Sequence, residues 1–92
     1  MNKEIEKAIA CFEAESIEKA AEIAERILEF DADHVEALLL MAKISYKYQK
    51  WGDSLNFLNR VLAIEPDNAV AINYKKMVMG IISYWNKDSF NP

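Results

Sequence analysis

The amino-acid sequence predicts an all-α fold, in which antiparallel helix pairs stack into one small domain. Helix-forming residues dominate the 92-residue chain, while two Gly and two Pro supply few of the turns that a β-sandwich or barrel needs. Hydrophobic residues make up 52% of the chain, which argues against disorder and supports a thin packed core. The third observation is an internal repeat of apolar, helical segments.

The repeat appears when the sequence is compared with itself at an offset of 34 residues. Apolar or small residues then meet at helical spacing: Ile17 with Trp51, Ala20 with Ser54, Ile23 with Phe57, Ala24 with Leu58, Ile27 with Val61 and Leu28 with Leu62. One amphipathic helix is therefore present twice. Each helix pair has too little surface to bury its own apolar stripe, so neighbouring pairs must stack.

Helix start signals divide the chain into five elements. Ser16 is a candidate N-cap, and Asp33 followed three residues later by Glu36 is a capping-box pattern. Asp67 can begin the last helix in the same way. Short connections make consecutive helices antiparallel. The predicted helices span residues 3–14, 17–30, 34–48, 51–64 and 68–86.

The unit from Val35 to Asn68 carries a recognisable pattern. Its first helix has Leu38, Met41, Ala42 and Ser45, and its second has Trp51, Ser54, Leu58, Val61, Leu62 and Pro66. This pattern resembles the tetratricopeptide repeat, a 34-residue helix pair with small residues where its helices cross and a closing proline. The resemblance implies that Ser54 and Ala42 lie at a helix crossing, and we expect Leu62 to be fully buried.

The resemblance extends over nearly the whole chain and implies one domain, 1–92, with the architecture of a right-handed α-solenoid. Repeat one covers about 2–34, repeat two covers 35–68, a terminal capping helix covers 69–86, and a short tail covers 87–92. In repeat one, Ala32 replaces the proline. Its first helix fits if the connection is one residue shorter, which places Ile5, Ala8, Ile9 and Phe12 in the core stripe.

Proteins that resemble this family bind an extended or helical peptide of a partner in a concave groove lined by the first helix of each pair. The resemblance thus implies a protein-interaction module whose partner the sequence does not identify. The implied groove residues are Lys3, Glu6, Ala10 and Glu13 in repeat one, Glu36, Leu39, Lys43, Tyr46 and Lys47 in repeat two, and Val70, Asn73, Met77 and Ile81 in the last helix.

One subfamily binds the C-terminal carboxylate of heat-shock chaperones through lysine, arginine and asparagine at fixed groove positions. Those positions here hold Glu6 and Ala10 (or Ile5 and Ile9 without the one-residue shift), followed by Leu40, Val70 and Tyr74. None matches the pattern, so a co-chaperone of that type is disfavoured. Lys43, Lys47 and Lys50 follow i, i+4, i+7 spacing, which predicts a shared face with Tyr46 at its edge. That face is either a solvated stripe or a contact for an acidic ligand.

The charge distribution and the potentially reactive residues argue against several classes of function. The net charge is −4, divided into −7 over residues 1–36 and +3 over residues 37–92, which disfavours nucleic-acid binding. His34 is expected to be a solvated turn residue and Cys11 a small buried hydrophobe. Neither belongs to a catalytic or metal-binding motif, so we expect no enzyme activity, metal or cofactor. The single cysteine and the absence of a signal peptide or a membrane-spanning apolar run lead us to expect a cytoplasmic protein.

The last predicted helix carries more apolar surface than a capping helix normally does. Its stripe comprises Val70, Ala71, Tyr74, Met77, Val78, Ile81, Ile82 and Trp85, with Ile72, Met79 and Tyr84 beyond it. The stripe is covered by Phe90 of the tail, by a second copy or by a partner. A homodimer would use Ile82, Tyr84 and Trp85. The alternative function is accordingly a self-associating structural protein with no separate groove ligand.

Overall fold

The computed structural model describes residues 2–86 and contains five helices in that range, with no strand. The helices are α1 (Asn2–Glu13), α2 (Ile17–Phe30), α3 (Val35–Lys47), α4 (Trp51–Ile64) and α5 (Ala69–Asn86). Each predicted helix boundary lies within one residue of the observed one. The all-α prediction is confirmed. Phe90, and with it the alternative in which the tail covers the last helix, lies outside the described residues.

The turns that end α1 and α3 are the same structure, 34 residues apart. Glu15 and Gln49 have positive φ angles of 65° and 61°. The amide of Ser16 donates to the Cys11 carbonyl, and the amide of Lys50 donates to the Ser45 carbonyl, both at 2.8 Å. These are the bonds of a Schellman motif, which ends a helix with a residue in the left-handed region.

Because the two turns are equivalent, the predicted one-residue shortening in repeat one is wrong. The connections 14–16 and 48–50 have equal length. The expected core stripe of α1 is nevertheless observed, since Ile5 and Ala8 are buried and Ile9 and Phe12 are half-buried. Helix α1 thus buries Ile5 and Ala8 while keeping the standard turn.

The core consists of two clusters of buried residues that meet at α3. The first lies among α1, α2 and α3 and contains Ile5, Ala8, Ile17, Ala20, Ile23, Ala24, Ala37, Leu40, Met41 and Ile44. The second lies among α3, α4 and α5 and contains Leu38, Ala42, Leu58, Val61, Ala71 and Val78. Helix α3 therefore packs on two sides, as stacked helix pairs require.

The crossing of α3 and α4 depends on small residues. Ala42 and Ser54 are both completely buried, and the Ser54 hydroxyl donates to the Ala42 carbonyl at 2.9 Å. This agrees with the predicted crossing. Leu62, however, is only half-buried, so the prediction of full burial is wrong. Successive helical residues turn by about 100°, so Leu62 lies at the edge of the contact in which its neighbour Val61 is buried.

The caps of α3 and α5 differ from those predicted. His34 Nδ1 accepts from the Ala37 amide at 3.2 Å, and Asn68 Oδ1 accepts from the Ala71 amide at 2.9 Å. Asp33 and Asp67 are not the caps, because both helices begin one residue later than predicted and the capping role moves with the boundary. His34 is half-buried rather than a solvated turn residue. Ser16 occupies the N-cap position of α2 without a side-chain bond.

Candidate functional site

The candidate groove residues lie on α1, α3 and α5, and none of them is fully buried. On α3 and α5, four of them are half-buried (Leu39, Lys43, Tyr46 and Ile81) and five are exposed (Glu36, Lys47, Val70, Asn73 and Met77). Lys3, Glu6, Ala10 and Glu13 of α1 are all exposed. These side chains are therefore available to a ligand. Leu40, one of the chaperone-clamp positions, is instead buried in the first core cluster.

Tyr46 is the anchored residue of this surface. Its ring makes edge-to-face contacts with Trp51 of α4, at a centroid distance of 5.2 Å, and with Tyr74 of α5, at 5.4 Å. Such pairs contribute about 0.5–1.5 kcal/mol each beyond their buried area. Tyr46 thus links α3, α4 and α5, and its ring is held in place by these contacts.

The structure brings Tyr46, Met77 and Ile81 together in one open cleft of about 460 Å³ at the C-terminal half of α5. We call this cleft the α5 shelf. Its lining residues are Tyr46, Lys76, Met77, Gly80, Ile81, Tyr84 and Trp85. Tyr84 and Trp85 are 73% and 70% exposed. The shelf therefore joins groove residues to two of the residues expected at a homodimer contact.

Ile82, the third residue expected at such a contact, is placed differently. It is half-buried and packs against the second core cluster. It also lines a neighbouring recess of about 350 Å³ with Gln49, Trp51 and Trp85. Tyr84 and Trp85 are thus more accessible to another chain than Ile82 is.

The opposite end of the groove is acidic. Glu36 and Leu39 border a recess of about 430 Å³ that is also lined by Asp31, Asp33 and Glu65. Lys43 and Lys47 lie further along α3, and Lys47 Nζ is 3.2 Å from a carboxylate oxygen of Glu15. That ion pair is exposed and contributes little to stability. The groove surface therefore changes from acidic near the start of α3 to basic and aromatic near its end.

Lys50 does not share a face with Lys43 and Lys47, so this prediction is wrong. Helix α3 ends at Lys47, and helical spacing no longer describes the direction of the following residues. Lys50 instead borders a cleft of about 590 Å³ between α2 and α4, on the side away from the groove residues. The basic part of the groove consists of Lys43 and Lys47 with Lys76 of α5.

The sequence did not predict the cleft between α2 and α4, because the apolar pattern of these two helices indicates only that they pack in the core. Its wall includes Phe57 and Arg60. The Arg60 guanidinium carbon lies 5.8 Å from the centre of the Phe57 ring, and Nη2 donates to the Ala32 carbonyl at 3.0 Å. The available signal was the i, i+3 spacing of an aromatic and a cation on one helix.

Cys11 and His34, the two residues with potentially reactive side chains, both take part in the packing or capping of helices. Cys11 is half-buried against the first core cluster, and the His34 ring is occupied as a helix cap. Within residues 2–86, no group of three or more His, Cys, Asp or Glu side chains is arranged to hold a metal ion. Among the helices in the same range, none combines the length and the apolar character that crossing a membrane requires.

Comparison with protein-family models gives a match to the tetratricopeptide repeat over residues 11–73, which is more than half of the chain. The chain belongs to the tetratricopeptide repeat family. The match runs from the last turn of α1 into the first turns of α5 and includes both equivalent turns. Comparisons with curated proteins and with solved structures gave no match.

Tetratricopeptide repeats generally mediate protein–protein interaction, and the family generally acts as a scaffold rather than as an enzyme. This family membership accounts for the packing of small residues at the α3–α4 crossing and for the stacking of helix pairs on both sides of α3. It leaves the choice of partner to the exposed residues, because the same scaffold carries many different binding sites.

Proposed function

We propose that this tetratricopeptide repeat protein binds a peptide or a helix of another protein across the face formed by α1, α3 and α5. The observation that carries the proposal is the row of incompletely buried apolar residues on that face, namely Leu39, Tyr46, Met77 and Ile81. Three of these residues, Tyr46, Met77 and Ile81, line one cleft, and exposed apolar patches often mark interaction sites.

The anchoring of Tyr46 supports the proposal. Two edge-to-face contacts hold its ring against α4 and α5 in the unbound protein. A partner would therefore meet a wall that is already in place, and little side-chain entropy would be lost on binding. Rigid aromatic anchors of this type are enriched among the residues that dominate interface energies.

The test is a comparison of captured proteins. The immobilised wild-type chain, the double variant Leu39→Glu/Met77→Glu and the control Phe30→Glu would be exposed to the same cell extract, and bound proteins identified by mass spectrometry. Phe30 is at the end of α2, is 92% exposed and is not among the residues that line the α5 shelf or the acidic recess, so its replacement should leave the fold and both of these surfaces intact.

We expect the wild type and the Phe30→Glu control to retain the same partners, and the double variant to lose them. Equal capture by all three proteins would contradict binding through this face. Circular dichroism of each protein would show that the helices remain folded. The cytoplasmic location expected from the sequence is part of the same proposal. The cellular location of the captured partners would test it.

Self-association is the second candidate, and the exposure of Tyr84 and Trp85 favours it. Large exposed apolar patches often mark protein–protein contacts. A two-fold dimer through α5 would bury them. Sedimentation over a range of protein concentrations would test this candidate, since a dimer would dissociate on dilution whereas a monomer would sediment at a constant rate.

A further inference from the structure

Gly80 stands in the interior of α5, where a glycine weakens the helix relative to almost any other residue. Two structural reasons for a glycine are absent here. Its φ angle is not positive, and a Cβ atom added at this position would meet nothing within 4 Å outside the local helix backbone. Within the described residues, neither the backbone conformation nor the packing requires a glycine at this position.

The position of Gly80 points to an external reason. Gly80 lies 34 residues after Tyr46, so it takes the place in α5 that the anchored groove tyrosine takes in α3. It lines the α5 shelf between Met77, one helical turn before it, and Tyr84, one turn after it. A glycine between larger side chains lets another backbone approach the helix closely.

We propose that the α5 shelf binds a short acidic, apolar peptide segment of a partner protein, whose backbone crosses α5 at Gly80. Apolar side chains of the segment pack on Met77, Tyr84 and Trp85, and an acidic residue pairs with Lys76. This inference rests on the proposed function and deepens it, because it names the chemistry of the ligand and the point of closest contact.

The charge of the residues that line the shelf favours an acidic ligand. Lys76 is the single charged side chain among the described residues that line the shelf. Lys43 lies about one turn before Tyr46 on the neighbouring helix, whereas Lys47 is already paired with Glu15. A carboxylate on the ligand would therefore meet Lys76 and no lining carboxylate. Complementary charge of this kind increases the association rate and disfavours basic partners.

The size of the shelf favours a peptide segment over a second copy of the chain. Tyr84 and Trp85 are about three-quarters exposed, and an aromatic side chain buries about 150–250 Å² when covered completely. With Met77, 44% exposed, the shelf offers on the order of 300–500 Å² of apolar surface. A stable protein dimer usually buries about 800 Å² on each partner. The apolar area of the shelf therefore suits a single peptide segment better than a second copy of the protein.

The experiment selects short random peptides displayed on phage against the full chain, and measures binding of the selected peptides by fluorescence anisotropy. Gly80→Leu fills the shelf. Gly52→Leu is the control for a leucine added elsewhere, because Gly52 lies in the first turn of α4, has open space around its missing side chain and is not among the residues that line the shelf. Both variants should melt at or above the wild-type temperature, since leucine favours helix formation.

We expect the selected peptides to be apolar with acidic residues. Gly80→Leu should weaken their binding at least tenfold, Gly52→Leu should leave it unchanged, and Lys76→Glu should weaken it with a reduced salt dependence. Selected peptides that lack acidic residues would overturn the inference, as would Gly80→Leu binding as tightly as the wild type. A wild-type dimer that Gly80→Leu dissociates would overturn it too, because the occupant would then be a second copy.

Leu39→Glu separates this inference from the proposed function, because Leu39 belongs to the groove and not to the shelf. Binding that is lost in Leu39→Glu and kept in Gly80→Leu would leave the groove as the binding face and reject the shelf. Binding that survives both changes would reject both proposals.

Discussion

Helices α3 and α5 hold equivalent places in their repeats, yet their surroundings differ. Helix α3 has seven buried residues and packs against neighbours on two sides. Among the α5 side chains that the structure describes, only Ala71 and Val78 are buried, while Met77, Met79, Tyr84 and Trp85 remain substantially exposed. The same helical framework therefore supplies stability in one place and accessible apolar surface in the other. Substitutions should therefore change stability unequally at the buried contacts of α3 and along α5, and three predictions test this.

The largest difference is expected from truncation of an apolar side chain in each helix. Leu38 of α3 is completely buried in the second core cluster, so Leu38→Ala should lower the free energy of unfolding by about 2–5 kcal/mol. Met77→Ala in α5 should lower it by less than about 0.5 kcal/mol, the level of ordinary surface changes. Urea unfolding measures both values. Similar losses in the two variants would show that α5 is packed as tightly as α3.

A smaller difference is expected when a side chain is enlarged. Ser54 packs on α3 with no free space and donates its hydroxyl to the Ala42 carbonyl. Ser54→Leu should therefore lower the free energy of unfolding by about 1–3 kcal/mol through overpacking, with a further loss from the broken hydrogen bond. Gly80→Leu on α5 should instead raise it by up to about 1 kcal/mol.

Thermal melting of these two variants, together with Gly52→Leu, measures the contrast. The expected order of melting temperature places Ser54→Leu lowest. The two glycine variants should melt at or above the wild-type temperature. Destabilisation by Gly80→Leu would mean that the outer face of α5 is occupied within the folded protein, which would remove the contrast between the helices.

The parts of this fold that sequence predicted well are the ones encoded locally. Helical spacing and the 34-residue repeat identified five helices, and the small residues Ala42 and Ser54 marked the α3–α4 crossing. Predictions that depended on a single residue of register failed, such as the burial of Leu62 and the direction of Lys50. A difference of one position in a helix changes the direction of a side chain by about 100°.

The candidate site was predictable to a smaller extent. The family resemblance indicated which face of α3 and α5 is uncovered, because the face follows from position in the repeat. The α5 shelf and the cleft between α2 and α4 required the structure, since both are spaces between helices whose separation no local pattern specifies. The anchoring of Tyr46 by Trp51 and Tyr74 likewise depends on three helices meeting at one point.

The smallest expected effect concerns the caps of the two helices. Asn68 caps α5 through a 2.9 Å bond to the Ala71 amide, and His34 caps α3 through a 3.2 Å bond to the Ala37 amide. Loss of an asparagine cap typically costs about 1 kcal/mol, and histidine is not among the residues that helix N-caps prefer. Asn68→Ala should therefore lower the free energy of unfolding by about 1 kcal/mol and His34→Ala by less.

Hydrogen exchange distinguishes where these losses appear. Helix α3 is held by neighbours on both sides, so its first turn should open mainly through unfolding of the whole domain, with or without the His34 cap. Helix α5 is packed chiefly against α4, so Asn68→Ala should accelerate exchange of the Ala71 and Ile72 amides well beyond the change in global stability. Asp67→Ala is the matched control, since Asp67 was the sequence-predicted cap but Asn68 makes the observed bond. Faster exchange in Asp67→Ala than in Asn68→Ala would show that Asp67, and not Asn68, caps α5. Equal local opening of α3 and α5 would show that packing on two sides gives α3 no added protection.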